Sequence, residues 1–239
     1  MGSRIETFVV HLARAKGRRE QVEKLLVGSP FQGRILDAVD GSKIPAEQRA
    51  SDISETPLFE PAYPFTLNAG EYGCFQSHRV AWQAIVDEEL DAALILEDDV
   101  ALTGDFAAAV ALAVEQISTF GYVQFQVRTV DESNVVMRSE GTAIVQPCVT
   151  PLRTSAQLVS RGAAQSLLEM TTQIDRPVDT FLQAHWHTAL RLACVVPSGV
   201  EDRTRETGGS TISSRRSIWS KIKREFLRNR YRRAVQRLS

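Results

Sequence analysis

The run Ala92-Ala-Leu-Ile-Leu-Glu97-Asp98-Asp99-Val100 decides the fold class of this chain. Five consecutive apolar residues between charged flanks read as a strand buried on both faces, the habit of a central strand in a parallel sheet. Three acids follow at once, so the strand delivers them to its carboxyl end. In open α/β sheets that is the edge where ligands bind. Three adjacent carboxylates repel one another and lose solvation unless a cation or hydrogen-bond donors compensate them. Hard oxygen ligands on one loop suit Mg2+ or Mn2+ carrying a phosphate group. A solvated acidic turn capping the next helix is the competing reading.

The flanking segments fit the same class. Thr7-Phe-Val-Val-His-Leu12 reads as a buried strand, residues 33–39 as another, and a helix to about Val27 joins them. Residues 42–68 contain Pro45, Pro57, Pro61 and Pro64 and read as a long loop with one short helix. A helix is expected over residues 69–89. After the acids, Asp105 is placed to cap a helix reaching Ile117. Residues 122–127 alternate as a strand, and 131–152 are β-rich and irregular. Residues 161–174 and 178–188 are helical, and 190–196 close the core as a strand. This alternation argues for an α/β fold, a mostly parallel central sheet flanked by helices.

Composition narrows the function. The chain has 239 residues, 43% hydrophobic and 24% charged, which is enough to bury a sizeable core and excludes global disorder. Three cysteines, at 74, 148 and 194, form no CxxC pair, so neither a disulfide scaffold nor a cysteine-rich zinc module is expected. No apolar run is long enough to cross a bilayer, and the first residues hold no signal-peptide core. The expectation is a soluble cytoplasmic chain. Its net charge of −1 hides an asymmetry. Residues 215–239 carry ten Lys/Arg against one acid (+9), leaving 18 against 28 in the body (−10).

Several motifs are absent. The apolar run ending in acids is similar to a Walker B strand, but no GxxxxGK[ST] loop accompanies it. There is no GxGxxG after the first strand, no GxSxG elbow and no HExxH. Two weaker signals remain. Gly70-Glu71-Tyr72-Gly73-Cys74-Phe75-Gln76-Ser77-His78 places two glycines at a helix start, where free N–H groups favour an anion. His78 shares a helical face with Cys74, Trp82 and Ile85, and a core histidine bonded to a loop is the plainer reading. Pro177-Val178-Asp179 is ordinary capping taken alone.

Together, and in order, these blocks resemble glycosyltransferase family 25, the lipooligosaccharide and lipopolysaccharide galactosyltransferase group. The resemblance rests on Val10-His-Leu-Ala-Arg14 with Arg18-Arg19, on Gly70-Glu71-Tyr72-Gly73-Cys74 with Ser77-His78, on residues 94–100, and on Pro177-Val178-Asp179. It covers roughly residues 4–205. It implies a GT-A type fold and an inverting transfer, galactose favoured, from a UDP-sugar to a lipid-linked bacterial glycan such as lipopolysaccharide core. Glu97 and Asp99 would then stand for the usual Asp-x-Asp metal site and hold Mn2+ or Mg2+. Leu12, Arg14, Arg19, Asp40, Ser77, His78 and Asp98 are the candidates for the nucleotide-sugar. Asp179 is the candidate general base, with Glu71 or Asp202 able to replace it. His185 and His187 read as ordinary helix residues before metal ligands. A nucleotidyltransferase-like enzyme and a non-catalytic, membrane-bound nucleotide- or glycan-binding protein are the alternatives.

The domain reading is 1–205 as the transferase-like unit, 206–214 as a flexible Gly/Ser/Thr linker, and 215–239 as a basic amphipathic helical tail. The tail has two apolar faces, Ile218/Trp219/Ile222/Phe226 and Leu227/Tyr231/Val235/Leu238, which a bent or two-part helix would reconcile. Trp219, Lys221, Lys223, Arg224, Arg228 and Arg232 suit an anionic membrane surface, with the inner leaflet as the expected location. Specific nucleic-acid binding is not expected.

Overall fold

The computed structural model describes residues 3–204 and 218–239. Strict alternation along β1 (Ile5–His11) and β3 (Ala92–Glu97) sends side chains to the two faces of one sheet. Phe8, Val10, Ala93 and Ile95 enter one core, with α3 (Ala69–Asp87), α5 (Arg161–Met170) and α6 (Val178–Leu182). Val9, Ala92, Leu94 and Leu96 enter the other, with α1 (Arg19–Gly28) and α4 (Phe106–Phe120). The expected large central sheet flanked by helices is present.

The sheet itself is mixed rather than mostly parallel. The remaining strands are β2 (Gly33–Asp37), β5 (Tyr122–Gln124), β6 (Val135–Ser139), β7 (Thr142–Val145), β8 (Ala156–Ser160) and β9 (Ala193–Val196), and the order across the sheet is β2-β1-β3-β8-β5-β9-β7-β6. β1 runs parallel to β2 and β3, and β5 parallel to β9. β8, however, is antiparallel to both β3 and β5, and β7 to both β6 and β9. β8 was missed because Gln157 interrupts its short apolar run. That glutamine is fully buried and held by side-chain hydrogen bonds.

The reversal of β8 positions the site. Leu96 pairs with Ala156, and Glu97 N donates to Ser155 O at 2.8 Å. Residues 153–155 therefore arrive at the edge where β3 releases its acids. A second, small sheet pairs β4 (Val100–Leu102) with β10 (Val200–Asp202), bringing the chain after β9 back beside the acids. β10 was not read from the sequence, and β5 ends at Gln124 rather than 127. The helix expected over 178–188 is two, α6 and α7 (His185–Thr188), with α2 (Ala46–Asp52) in the proline-rich loop. Asp105 precedes α4 but makes no side-chain cap.

The tail is one helix, α8 (Ile218–Leu238), and one of its two apolar faces docks on the body. Val235 is only 2% exposed, whereas Phe226 on the other face is 68% exposed. Tyr231 meets Tyr63 edge-to-face at 5.5 Å, and the Arg224 guanidinium lies 4.3 Å from the Phe65 ring centre. Tyr231 also takes a hydrogen bond from Arg176 Nη1 at 3.2 Å. Arg176 is completely buried. It grips both oxygens of Asp175 at 2.7 Å, donates to the carbonyls of Phe59 and Pro61, and covers the Phe59 ring. Such full pairing is what allows a guanidinium to leave water. The proposed linker 206–214 and residues 215–217 lie outside the described residues, as do the side chains of Trp219, Lys221 and Lys223.

Candidate active site

The carboxyl ends of β1, β2 and β3 open into a cavity of about 420 Å3. Leu12 and Arg14 come from the loop after β1, Asp40 from the loop after β2, and Glu97, Asp98 and Asp99 from β3. The Asp40 loop packs backbone to backbone on the start of α3. A Cβ on Gly41 would fall 1.9 Å from Ala69 O, and one on Gly73 would fall 2.5 Å from Val39 O. Ser77 completes this clasp, accepting from Val39 N at 2.8 Å and donating to Gly73 O at 2.7 Å. Its role is to fix the wall. The α3 N-terminus is not the free anion site expected from its glycines: Asn68 Oδ1 accepts from Gly70 N and Glu71 N in a capping box.

The three acids have separate surroundings. Asp98 is buried, with one oxygen bonded to His11 Nδ1 at 2.7 Å and the other to Arg18 Nη1 at 2.6 Å. Its charge is thus satisfied by protein. Glu97 accepts from His78 Nε2 and Thr154 Oγ1, both at 3.2 Å. Behind His78, Gln157 Nε2 donates to Nδ1 at 2.8 Å and Tyr122 donates to Gln157 Oε1. This chain assigns the imidazole proton to Nε2, facing Glu97. Burial pushes the Glu97 carboxyl up, but those hydrogen bonds and the charge of Arg153 outweigh it and hold the carboxyl below its ordinary range. Asp99 is the least compensated of the three, with Arg18 at 3.6 Å and a hydrogen bond from Thr204 Oγ1 at 3.2 Å. Burial, then the Glu97 charge, push it up to about 6 against the pull of Arg18 at 3.6 Å.

A cation between Glu97 and Asp99 would relieve that repulsion, and the all-oxygen donor set suits Mg2+ or Mn2+. Cys74, His78 and Glu97 also converge, their ligand atoms within 4.8 Å of one another. Burial raises the Cys74 thiol well above its usual value, and His78 spends its proton on Glu97. The trio is better described as a hydrogen-bonded His78–Glu97 pair with Cys74 beside it than as a cation cradle.

A second cavity, of about 360 Å3, adjoins the first and shares Cys74, Glu97 and Asp99 with it. Its far wall carries Asp179, Glu71, Tyr63 and Arg153. Asp179 accepts from Arg153 N and Thr180 Oγ1 at 3.2 Å, while burial raises its carboxyl above the ordinary value. Arg153 holds a left-handed backbone, φ +87°, a strain of about 1–3 kcal/mol that cores rarely tolerate without a use. It turns its N–H to Asp179 and its guanidinium to Asp202 at 2.5 Å. Asp202 is thereby paired, and Glu71 spends one oxygen on Asn68 N at 2.9 Å. Asp179 is the better placed of the three candidate bases.

Of the other candidates, Arg14 and Asp40 line the first cavity but pair with each other at 2.9 Å. Arg19 does not line it. Its guanidinium lies along the outside of α1, 3.6 Å from Glu23, and Arg18 enters the site instead. His187 stacks on Phe59 at 4.0 Å, away from the acids. Arg228 pairs with Glu225 at 2.6 Å, and Arg232 lies 3.9 Å from the same acid. The residues missed were His11, Arg18, Thr154, Gln157 and Thr204, the last donating to Asp99 at 3.2 Å. No sequence signal separates Arg18 from Arg19.

Two adjoining cavities thus meet at Glu97 and Asp99, on the edge where open α/β sheets bind their ligands. The sequence match is specific. The family model for glycosyltransferase family 25 (LPS biosynthesis protein) fits residues 4–182, and the chain belongs to that family. Procollagen galactosyltransferase 2 of Mus musculus is 33% identical over 114 residues, 47% of this chain and 18% of that protein. Procollagen galactosyltransferase 1 of Danio rerio is 38% identical over 96 residues, 39% and 16% of the two chains. The inactive glycosyltransferase 25 family member 3 of Homo sapiens is 34% identical over 114 residues, 47% and 19%. The chain thus spans less than a fifth of the length of these relatives. Among solved structures, GlyE of Streptococcus pneumoniae TIGR4 gives a TM-score of 0.40 at 13% identity, covering 81% of this chain and 45% of its own. The family assignment rests on the sequence match alone.

Proposed function

We propose that this chain is an active, metal-dependent glycosyltransferase that moves a sugar, galactose by family resemblance, from a UDP-sugar to a hydroxyl of a lipid-linked glycan. The meeting of two cavities at Glu97 and Asp99 carries this reading. The first cavity takes the nucleotide, with Leu12, Arg14 and Asp40 along its wall. The second takes the acceptor, with Asp179 facing the junction. Glu97 and Asp99 would hold Mn2+ or Mg2+, which when bound supplies positive charge to the departing diphosphate. His78, backed by Gln157, keeps Glu97 ionised and oriented. Asp98 ties β1 and the turn carrying Arg18 to the acid loop. Asp179 removes the acceptor proton, and its raised basicity suits that task. Attack from the opposite side of the sugar ring gives inversion. Some relatives bear the name inactive, so turnover is the point at issue. The deciding experiment is UDP release from a panel of UDP-sugars, with Mn2+ or EDTA, on intact protein and on Glu97→Ala/Asp99→Ala. Donor-selective, metal-dependent release that the variant loses is expected. UDP binding with no release from any donor, with saccharide acceptors present, would favour a non-catalytic binding protein.

The basic tail supports a peripheral place on an anionic membrane, beside a lipid-linked acceptor. No described helix is long and apolar enough to cross a membrane. The inner leaflet of a bacterial inner membrane is the location this reading favours.

A further inference from the structure

Tyr63 is the wall of two spaces. One face lines the second cavity beside Glu71 and Asp179, and it also borders a third cavity of about 490 Å3 under α2. The ring has no regular element to hold it, because it lies in the proline-rich stretch between α2 and α3. Its support is aromatic. Phe65 meets it edge-to-face at 5.4 Å and Tyr231 of α8 at 5.5 Å. The tail grips both partners: Arg224 covers Phe65, and Tyr231 is fastened from behind by buried Arg176. Arg176 in turn holds the carbonyls of Phe59 and Pro61, the start of the same stretch.

We infer that α8 is a positioning element for the acceptor: through Tyr231 it fixes Tyr63 as the rigid wall of the second cavity. The inference rests on the proposed assignment of that cavity to the acceptor. The tail would then have two sides with two tasks, the docked side shaping the site and the Phe226 side facing outward.

Full-length Tyr231→Ala, Tyr231→Phe and, as a control on the opposite face, Phe226→Ala separate these tasks. Two readouts are needed. The first is amide hydrogen exchange over residues 61–67. The second is transfer from UDP-galactose to octyl β-galactoside, octyl β-glucoside and octyl β-N-acetylglucosaminide, beside UDP-galactose hydrolysis without acceptor. Tyr231→Ala should raise exchange over 61–67 several-fold and leave the central strands protected. It should raise acceptor KM roughly three- to tenfold, as loss of one aromatic pair predicts. Acceptor-free hydrolysis should stay within about twofold of the parent protein. Tyr231→Phe keeps the ring but loses the hydrogen bond from Arg176, and should fall between the parent and Tyr231→Ala. Phe226→Ala should behave as the parent. Unchanged exchange over 61–67 in Tyr231→Ala would overturn the inference whatever the activity. So would faster exchange with unchanged acceptor KM, or exchange raised equally throughout the protein, which marks a merely structural contact. A parent protein that hydrolyses the donor yet uses no glycoside would count against the acceptor reading, leaving the Tyr231–Tyr63 contact to be judged by exchange.

Discussion

His78 Nε2 faces Glu97 Oε1 at 3.2 Å with its proton toward the carboxylate, because Gln157 supplies a hydrogen bond to Nδ1 from behind. The imidazole of the Ser-His block is therefore engaged by Glu97 and Gln157. His78→Ala leaves Glu97 buried with less compensation, so its carboxyl rises and its hold on a cation weakens. Supporting shells of this kind are worth about 10–100-fold in metal affinity. A Mn2+ titration at neutral pH should show that loss in His78→Ala and a smaller one in Gln157→Leu. Equal affinity in all three proteins would refute the role.

Asp99 gives a pH signature of opposite sign to that of a salt-bridged acid. Its carboxyl is raised from 3.8 to about 6 in the folded chain, so the native state binds the extra proton between those values. Without a divalent cation, this group lowers stability as pH rises from about 4 to 6, by up to about 3 kcal/mol at neutral pH. Asp99→Asn should accordingly melt higher than the parent at pH 7.5 in EDTA, and the gain should shrink at pH 4.5. Mn2+ should stabilise the parent and not the variant. A variant that melts lower at pH 7.5 contradicts the electrostatic account.

Asp179→Asn tests the base. Arg153 N and Thr180 Oγ1 bond different oxygens of Asp179. In the amide the one remaining oxygen can still accept from Arg153 N and the NH2 can donate to Thr180 Oγ1, but the group cannot take a proton. Transfer should fall by about 100- to 10,000-fold, while UDP affinity is unchanged. Full transfer activity in this variant would remove Asp179 from the mechanism.

Gly41→Ala tests the backbone clasp. The new methyl meets the Ala69 carbonyl at 1.9 Å, and neither partner is a flexible side chain. A loss of about 3 kcal/mol is expected in denaturant unfolding. Gly104→Ala, with nothing near its Cβ, is the neutral comparison. Equal stability of the two variants would mean the loop is free to withdraw from α3.

The exposed basic side of the tail predicts membrane partition. Arg230, Arg233 and Arg237 are exposed on α8. Changing all three to Glu should lower flotation with anionic vesicles by roughly 100-fold, at about 1 kcal/mol per cation lost. Melting temperature should hold, since none of the three lies on the docked side. Undiminished flotation would assign the tail to another partner.

Much of this was legible from sequence where one local signal sufficed. β1, β3, α3 and the acid run announce themselves by apolar periodicity and an abrupt change to charge. What failed was long-range. β8 carries a buried glutamine whose partners, Tyr122 and His78, come from elsewhere in the chain, so it does not look apolar. Arg18 and Arg19 are indistinguishable in a string, and only the turn decides which enters the site. Asp98 was read as a nucleotide-sugar contact between the two proposed metal ligands, yet His11 and Arg18 have already taken both its oxygens. The second face of the tail was visible, but its target was not, because Tyr63 and Arg176 lie in segments with no periodicity.

The reversed course of β8 has a consequence for how such a site diversifies. A strand that enters the sheet at the reactive edge brings along the chain that precedes it, here residues 146–155. That stretch begins at the end of β7 and finishes at Thr154 and Ser155 against Glu97. Insertions at its one exposed residue, Cys148, would lengthen this connection without disturbing strand register or the acids, because surface positions accept added length cheaply. The topology leaves the approach to one margin of the pocket open to remodelling, and the reacting centre stays fixed.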